Sequence, residues 1–180
     1  MAIDEEFSLV LKPFVKETVS ALAEMAHLKA KPGVAFDDDI LNFKFQGYAV
    51  CVVAKTSGSI SGTVLMHHYT DTALAIGRNV ASVMLGEPVT ATKIDDEIGE
   101  ALTEFANTVI GLATRWFHES KLKLEFSAPM FIWGADDLDH LLTGASKVLT
   151  IPIEVDGVGN FYLSYVVNAT NKAKKGHSYA

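Results

Sequence analysis

The sequence predicts a single α+β domain, an antiparallel or mixed sheet covered by long helices. Three observations predict it. The length, 180 residues, is that of one domain. Two long stretches carry apolar residues at helical spacing. Between and after them lie short β-rich runs punctuated by turn residues, giving the order helix, strands, two helices, strands. The domain is expected to occupy residues 1–170. The polar end, Asn171–Ala180 with Lys172, Lys174 and Lys175, reads as a frayed tail.

The first helix is expected from about Pro13 to Leu28. Proline suits a first helical turn, where its missing N–H is no loss. Phe14, Thr18, Leu22 and Met25 recur along one side, and Pro32-Gly33 ends the element. Tyr48–Ala54 is apolar on both faces and reads as a central, covered strand. Ser57-Gly58-Ser59 turns the chain into a second strand, Ile60–His68. A helix over Thr70–Leu85 closes at Gly86, with Pro88 beyond it. The longest helix runs from Asp95 or Asp96 to Ser120, its acidic start complementing the helix dipole. Strands follow at Lys121–Phe126 and, past Pro129, at Met130–Trp133. Asp136–Leu142 reads as a short helical turn. Lys147–Val155 and Gly159–Asn168 then form a hairpin about Asp156-Gly157.

Composition excludes several classes. Half the residues are apolar (49%) and 21% are charged, which excludes a disordered chain. Fifteen Lys and Arg against 22 Asp and Glu leave a net charge of -7. A general nucleic-acid or anionic-membrane binder needs a basic face, so neither partner is expected. The single cysteine, Cys51, excludes an internal disulfide framework and a CxxC zinc site. Met1–Glu6 is acidic where a signal peptide would be basic, and the apolar runs fall far short of the ~20 residues of a membrane span. A cytoplasmic protein is expected.

A weak internal repeat lies at an offset of 91 residues. Leu11 matches Leu102, Phe14 matches Phe105, Val15 matches Ala106, Val19 matches Ile110, Ser20 matches Gly111, and His27 matches His118. Part of this is the superposition of two amphipathic helices. The differences are sharper: Pro13 stands opposite Glu104, and Lys16 opposite Asn107.

On the longest helix, Leu102, Phe105, Ala106, Val109, Ile110, Ala113, Trp116 and Phe117 form one apolar stripe, expected to face the core. Glu100, Glu104, Asn107 and Gly111, spaced four, three and four apart, form a second stripe expected to face solvent. An exposed helical face normally carries good helix formers. Asn is a poor one, and Gly costs ~1 kcal/mol relative to Ala. A glycine there removes bulk, so that another backbone can come close. An acid, an amide and a flat spot in one row describe a docking surface with a chemical group in it.

This row resembles the helix motif of the CheC/CheX/FliY family of chemotaxis phosphatases: Asp or Ser, then Glu, Asn and Gly at the same spacings. Here it reads Glu100-x-x-x-Glu104-x-x-Asn107-x-x-x-Gly111, within GEALTEFANTVIGLA. The first position departs, since Glu100 keeps the carboxylate on a longer stem. KPFVKETVSALAEMA is similar to the family's Pro-Phe-led first helix, and ALAIGRNVASVMLGEP with DDEIGEALTEFANTVIG to its paired helices. One motif helix rather than two is the CheX-like arrangement. The resemblance implies a CheC-like fold with a degenerate internal repeat. It also implies a phosphatase acting on the aspartyl-phosphate of a CheY-like response regulator, and a homodimer. Asn107 would orient the attacking water and Glu104 would pair with the regulator's lysine, with Glu100 and Gly111 as partner-binding positions. No cofactor or metal would belong to this chain, since Mg²⁺ would sit on the regulator. The alternative is a non-catalytic receiver-binding or dimeric scaffold of the same fold.

The remaining candidates are weaker. His67-His68, on a strand, point to opposite faces and cannot easily share one metal. With His27, His118 and His140 they make a conceivable metal-binding reading, which needs three or four converging ligands. Gly58-Ser59-Ile60-Ser61-Gly62 reads as turn chemistry rather than a nucleophile elbow. Cys51 reads as inert core. Asp37-Asp38-Asp39 reads as a solvated loop, able at most to bind a cation loosely.

Overall fold

The computed structural model describes residues 5–38, 50–120, 122–133 and 140–168. In chain order these form α1 (Glu5–Ala26), β1 (Ala30–Pro32), β2 (Phe36–Asp38), β3 (Val50–Gly58), β4 (Gly62–His68), α2 (Thr70–Leu85), α3 (Asp96–Glu119), β5 (Leu124–Phe126), β6 (Met130–Trp133), a 3-10 turn at His140–Leu142, β7 (Ala145–Val155) and β8 (Gly159–Asn168). The strands make one sheet in the order β1-β7-β8-β4-β3-β5, with β2 beside β1 on β7 and β6 beside β5 on β3. Every pairing is antiparallel. The fold is therefore α+β, as expected. The expected tail, 171–180, lies outside the described residues, as do Tyr48, Ala49 and Asp136–Asp139.

The element order exposes a duplication that the helix repeat only hints at. The run α1-β1-β2-β3-β4 is followed, after α2, by α3-β5-β6-β7-β8. The halves exchange their short strands: β1 and β2 lie on β7, and β5 and β6 on β3. β4 and β8 meet at the centre, with Leu65 opposite Ser164. So α1 and α3 are counterparts.

The helices cover one face of the sheet. Leu11, Phe14 and Leu22 of α1, Ile76 and Val80 of α2, and Leu102, Phe105 and Val109 of α3 join Val52, Met66, Phe161 and Leu163 in the main core. A smaller cluster of Cys51, Val53, Leu65, Val148 and Val166 lies on the opposite face. That explains the unbroken apolar run in β3: its side chains are buried on both faces. No described helix is long and apolar enough to cross a membrane.

Three expectations need correction. The first helix starts at Glu5, so Pro13 lies in its interior. An interior proline costs about 3 kcal/mol. Val10 and Leu11, just before it, are wholly buried, and burial at about 1.5–3 kcal/mol per large side chain offsets that cost. The helix also ends at Ala26, before Pro32-Gly33. His27 takes a left-handed φ of 53° there, and the Leu28 N–H donates back to the Leu22 carbonyl at 3.0 Å. Third, Trp116 is 44% exposed, whereas Phe117 is buried. The seam between α1 and the last turns of α3 opens into a hollow, and Trp116 stands on its rim.

Close approach at two glycines sets the packing, one placing α3 against α2 and one joining β4 to β8. A Cβ at Gly77 of α2 would come within 2.5 Å of Ile98 Cγ2, so glycine lets the N-terminal half of α3 press against α2. Asp95 caps that end by accepting from the Ile98 N–H at 3.1 Å. At the sheet centre, a Cβ at Gly62 would collide with the backbone carbonyl of Val166. Because backbone cannot swing aside as a side-chain tip can, Gly62→Ala is expected to lower stability by about 3 kcal/mol. Urea unfolding midpoints check this.

Candidate functional site

Burial of the Leu102–Phe105–Val109 side of α3 fixes its rotation. The opposite side must then face out. Glu100, Glu104, Asn107 and Gly111 are all exposed, in one row as the spacing requires. Among the described residues a Cβ at Gly111 would meet nothing within 4 Å, so packing against them does not require the glycine. The carboxylates of Glu100 and Glu104 and the amide of Asn107 make no hydrogen bond or ion pair with any described residue. Thr103, between the acids, turns its hydroxyl inward to the Gly99 carbonyl at 2.8 Å. Unsatisfied polar groups on a rigid helix are free to meet a partner with little rearrangement.

At the N-terminal end of the row lies a groove of about 710 Å³ whose lining includes Asp95, Asp96, Glu100 and Glu104. Met84, Ile94, Phe131 and Trp133 supply its apolar surface. Met84 is 54% and Trp133 47% exposed, large values for side chains of that kind. Sequence reasoning missed both. Met130–Trp133 is apolar throughout, so no alternation tells which side chains face out. Met84 reads as an ordinary member of the second helix. Asn107 and Gly111 extend the row beyond the groove along α3.

The histidines do not converge. His67 and His68 point to opposite faces of β4, as expected. His67 Nε2 is 2.7 Å from Ser164 Oγ, which in turn lies 2.7 Å from Thr150 Oγ1. His68 stacks on Phe161 with ring centroids 4.6 Å apart. Both rings are buried, and burial lowers each imidazole to a pKa of about 3, with the neighbouring His68 adding to the effect on His67. His27, His118 and His140 are exposed. Among the described residues no three His, Cys, Asp or Glu side chains come together as cation ligands. Asp37 and Asp38, expected in a loop, instead form part of β2, paired with Leu149 and Val148; their side chains, and Asp39 altogether, lie outside the described residues. Cys51 is fully buried, and desolvation pushes its thiol far above the ordinary range, as suits core rather than a nucleophile.

A duplicated α+β domain whose second-half helix presents acid, amide and glycine to solvent defines a CheC-like protein. The family model described as "Chemotaxis phosphatase CheX" matches residues 50–154, more than half of the chain. The chain belongs to the CheX family. Solved structures share the fold. A chemotaxis protein CheX from Desulfovibrio desulfuricans is 21% identical with a TM-score of 0.68, covering 89% of this chain and 99% of its own. The CheX of a CheX-CheY-BeF3-Mg²⁺ complex from Borrelia burgdorferi is 19% identical with a TM-score of 0.65, covering 88% of this chain and 97% of that one. FliY from Thermotoga maritima is 16% identical with a TM-score of 0.64, covering 94% and 93%. No curated protein matches the sequence.

Proposed function

We propose that this chain docks its α3 row on a CheY-like receiver domain and hydrolyses the receiver's aspartyl-phosphate. Asn107 orients the attacking water and Glu104 pairs with the receiver's active-site lysine. The observation that carries the reading is the exposed Glu104–Asn107 pair, without partners among the described residues, on the motif helix of a CheX-family chain. Support also comes from the Borrelia burgdorferi relative, whose structure is a complex with CheY.

The chemistry fits so small a set of groups. Phosphoryl transfer needs little covalent help from protein; positioning and charge stabilisation do most of the work. An amide is both donor and acceptor, so it holds a water in one orientation. A carboxylate meeting a lysine steers the encounter and fixes register. Residues three apart on a helix project the same way, so one docking event delivers both. Mg²⁺ enters with the receiver, which holds it. Gly111 gives the receiver's backbone clearance, and Glu100 lends the row polarity. Because Glu100 stands where the family has Asp or Ser, a binding-only scaffold is the second reading.

The test follows the decay of a phosphorylated CheY-like receiver with Mg²⁺, with and without this protein. Accelerated decay supports hydrolysis. Binding with unchanged decay supports the scaffold. Neither, across several receivers of the same source, overturns both. If the groove beside Glu104 seats part of the receiver, Trp133→Ala removes an apolar anchor. The receiver concentration giving half-maximal rate is expected to rise about tenfold, while the rate at saturation holds. That follows from losing ~1.4 kcal/mol of uniform binding, and a titration of receiver concentration checks it.

A further inference from the structure

The face of α1 that corresponds to the α3 row has the opposite chemistry. At the 91-residue offset, Leu9, Lys12, Pro13 and Lys16 stand where α3 has Glu100, Thr103, Glu104 and Asn107. The receiver reading makes no use of them. They line a hollow of about 450 Å³ between α1 and the end of α3. Trp116, Phe117 and Leu122 supply its other wall. The volume lies in the range of small-molecule sites, ~300–1,000 Å³.

Two features make this more than an uncovered apolar seam. The first is that Trp116, though exposed, is held in place. Its indole N–H donates to Glu17 Oε1 at 3.1 Å, and Lys16 Nζ lies 4.4 Å from its ring centroid. A ring fixed at edge and face is a preorganised wall, which loses little freedom when a ligand arrives. The second is the sign of the charge. Among the described residues, the charged side chains lining the hollow are Lys12 and Lys16, in a chain of net charge -7. The Glu17 carboxylate, which accepts from the indole N–H, keeps its charge but is not among the residues that line the hollow. Two lysines four apart on a helix repel each other, and an anion between them relieves that repulsion. Both lysines are exposed, so a neutral apolar guest gains nothing from their ammonium groups and a cationic one is repelled, whereas an anion is attracted by both.

We propose that this hollow binds a small carboxylate with an apolar body. The body packs on Trp116, Phe117 and Leu122, and the carboxylate sits at the mouth between Lys12 and Lys16. The proposal stands apart from the receiver reading, since no residue of the α3 row takes part.

The test uses the full chain with Trp133→Phe, which leaves Trp116 as the fluorescent tryptophan. It is titrated with decanoate below its micellar concentration, and in parallel with acetate and decyltrimethylammonium. The expected result is a saturable change in Trp116 emission with decanoate alone. Lys12→Glu, which leaves both Trp116 contacts in place, is expected to weaken decanoate at least tenfold, and circular dichroism checks that the variant stays folded. An equal response to decyltrimethylammonium would make the hollow a nonspecific apolar surface and overturn the proposal. So would decanoate affinity unchanged in Lys12→Glu, or no response to decanoate at all.

Discussion

Asn107→Ala is expected to slow receiver dephosphorylation on the order of 100-fold, the usual loss when one preorganised polar group is taken from a transition state. The side chain is exposed and has no partner among the described residues, so none of them depends on it. Alanine is also the better helix former. Stability should hold or rise slightly while the rate collapses, which separates a chemical role from a structural one. Receiver affinity should change little, because the remaining contacts, Glu104 included, stay in place. Glu104→Gln should show the complementary pattern, with weaker binding and a steeper demand for receiver. The decisive measurement is the single-turnover decay of the receiver's phosphoryl group at saturating protein, alongside a binding isotherm for each variant. A near-wild-type rate in Asn107→Ala would remove the amide from the mechanism and leave the scaffold reading.

Why this row was legible in the sequence, and its surroundings were not, has a physical reason. A helix imposes one angular period, so burial of Leu102, Phe105 and Val109 dictates that Glu104 and Asn107 face out. A mid-helix Asn and Gly without a packing role then stand out against ordinary helix chemistry. The groove beside the row depends instead on β6 reaching α3 across the sheet edge, a contact between segments distant in sequence. Four consecutive apolar residues carry no alternation from which to read that Trp133 faces out. The same limit hid β1 and β2, each three residues long and held by pairing with β7. Trp116 failed differently. Its angle on α3 matches the core stripe, but an angle reports direction and not whether another element covers the helix there. The interior Pro13 shows tertiary packing overriding a local rule. The duplication was visible in the helices, where packing restricts residue choice, while the exchanged strands have to be seen in the pairing.

Stability should fall steeply as the pH drops below about 6.5, and His67 and His68 should be the main cause. Both are buried neutral, with pKa values lowered to about 3, whereas a histidine in the unfolded chain titrates near 6.5. Between those values the unfolded chain binds protons that the folded one refuses. The unfolded state then holds more protons, so stability rises with pH across this window and is lost as pH falls through it. Each histidine contributes a slope of up to ~1.4 kcal/mol per pH unit, and the two together up to ~3. Because a histidine of the unfolded chain is only half protonated at pH 6.5, the loss from pH 6.5 to pH 5 comes to about 3 kcal/mol, a large part of the 5–15 kcal/mol that holds a typical domain together. His68→Phe keeps an aromatic ring on Phe161 and removes the titrating group. His67→Gln keeps a polar partner for Ser164. The expected result is a urea midpoint that falls sharply between pH 7 and pH 5 in the native protein and much less in the double variant. Exposed carboxylates titrate alike in both proteins, so the difference between the two slopes isolates the histidines. Parallel slopes would mean that the buried pair takes up protons in the folded state, by local opening of the β4–β8 centre, and would place that seam among the weakest of the sheet.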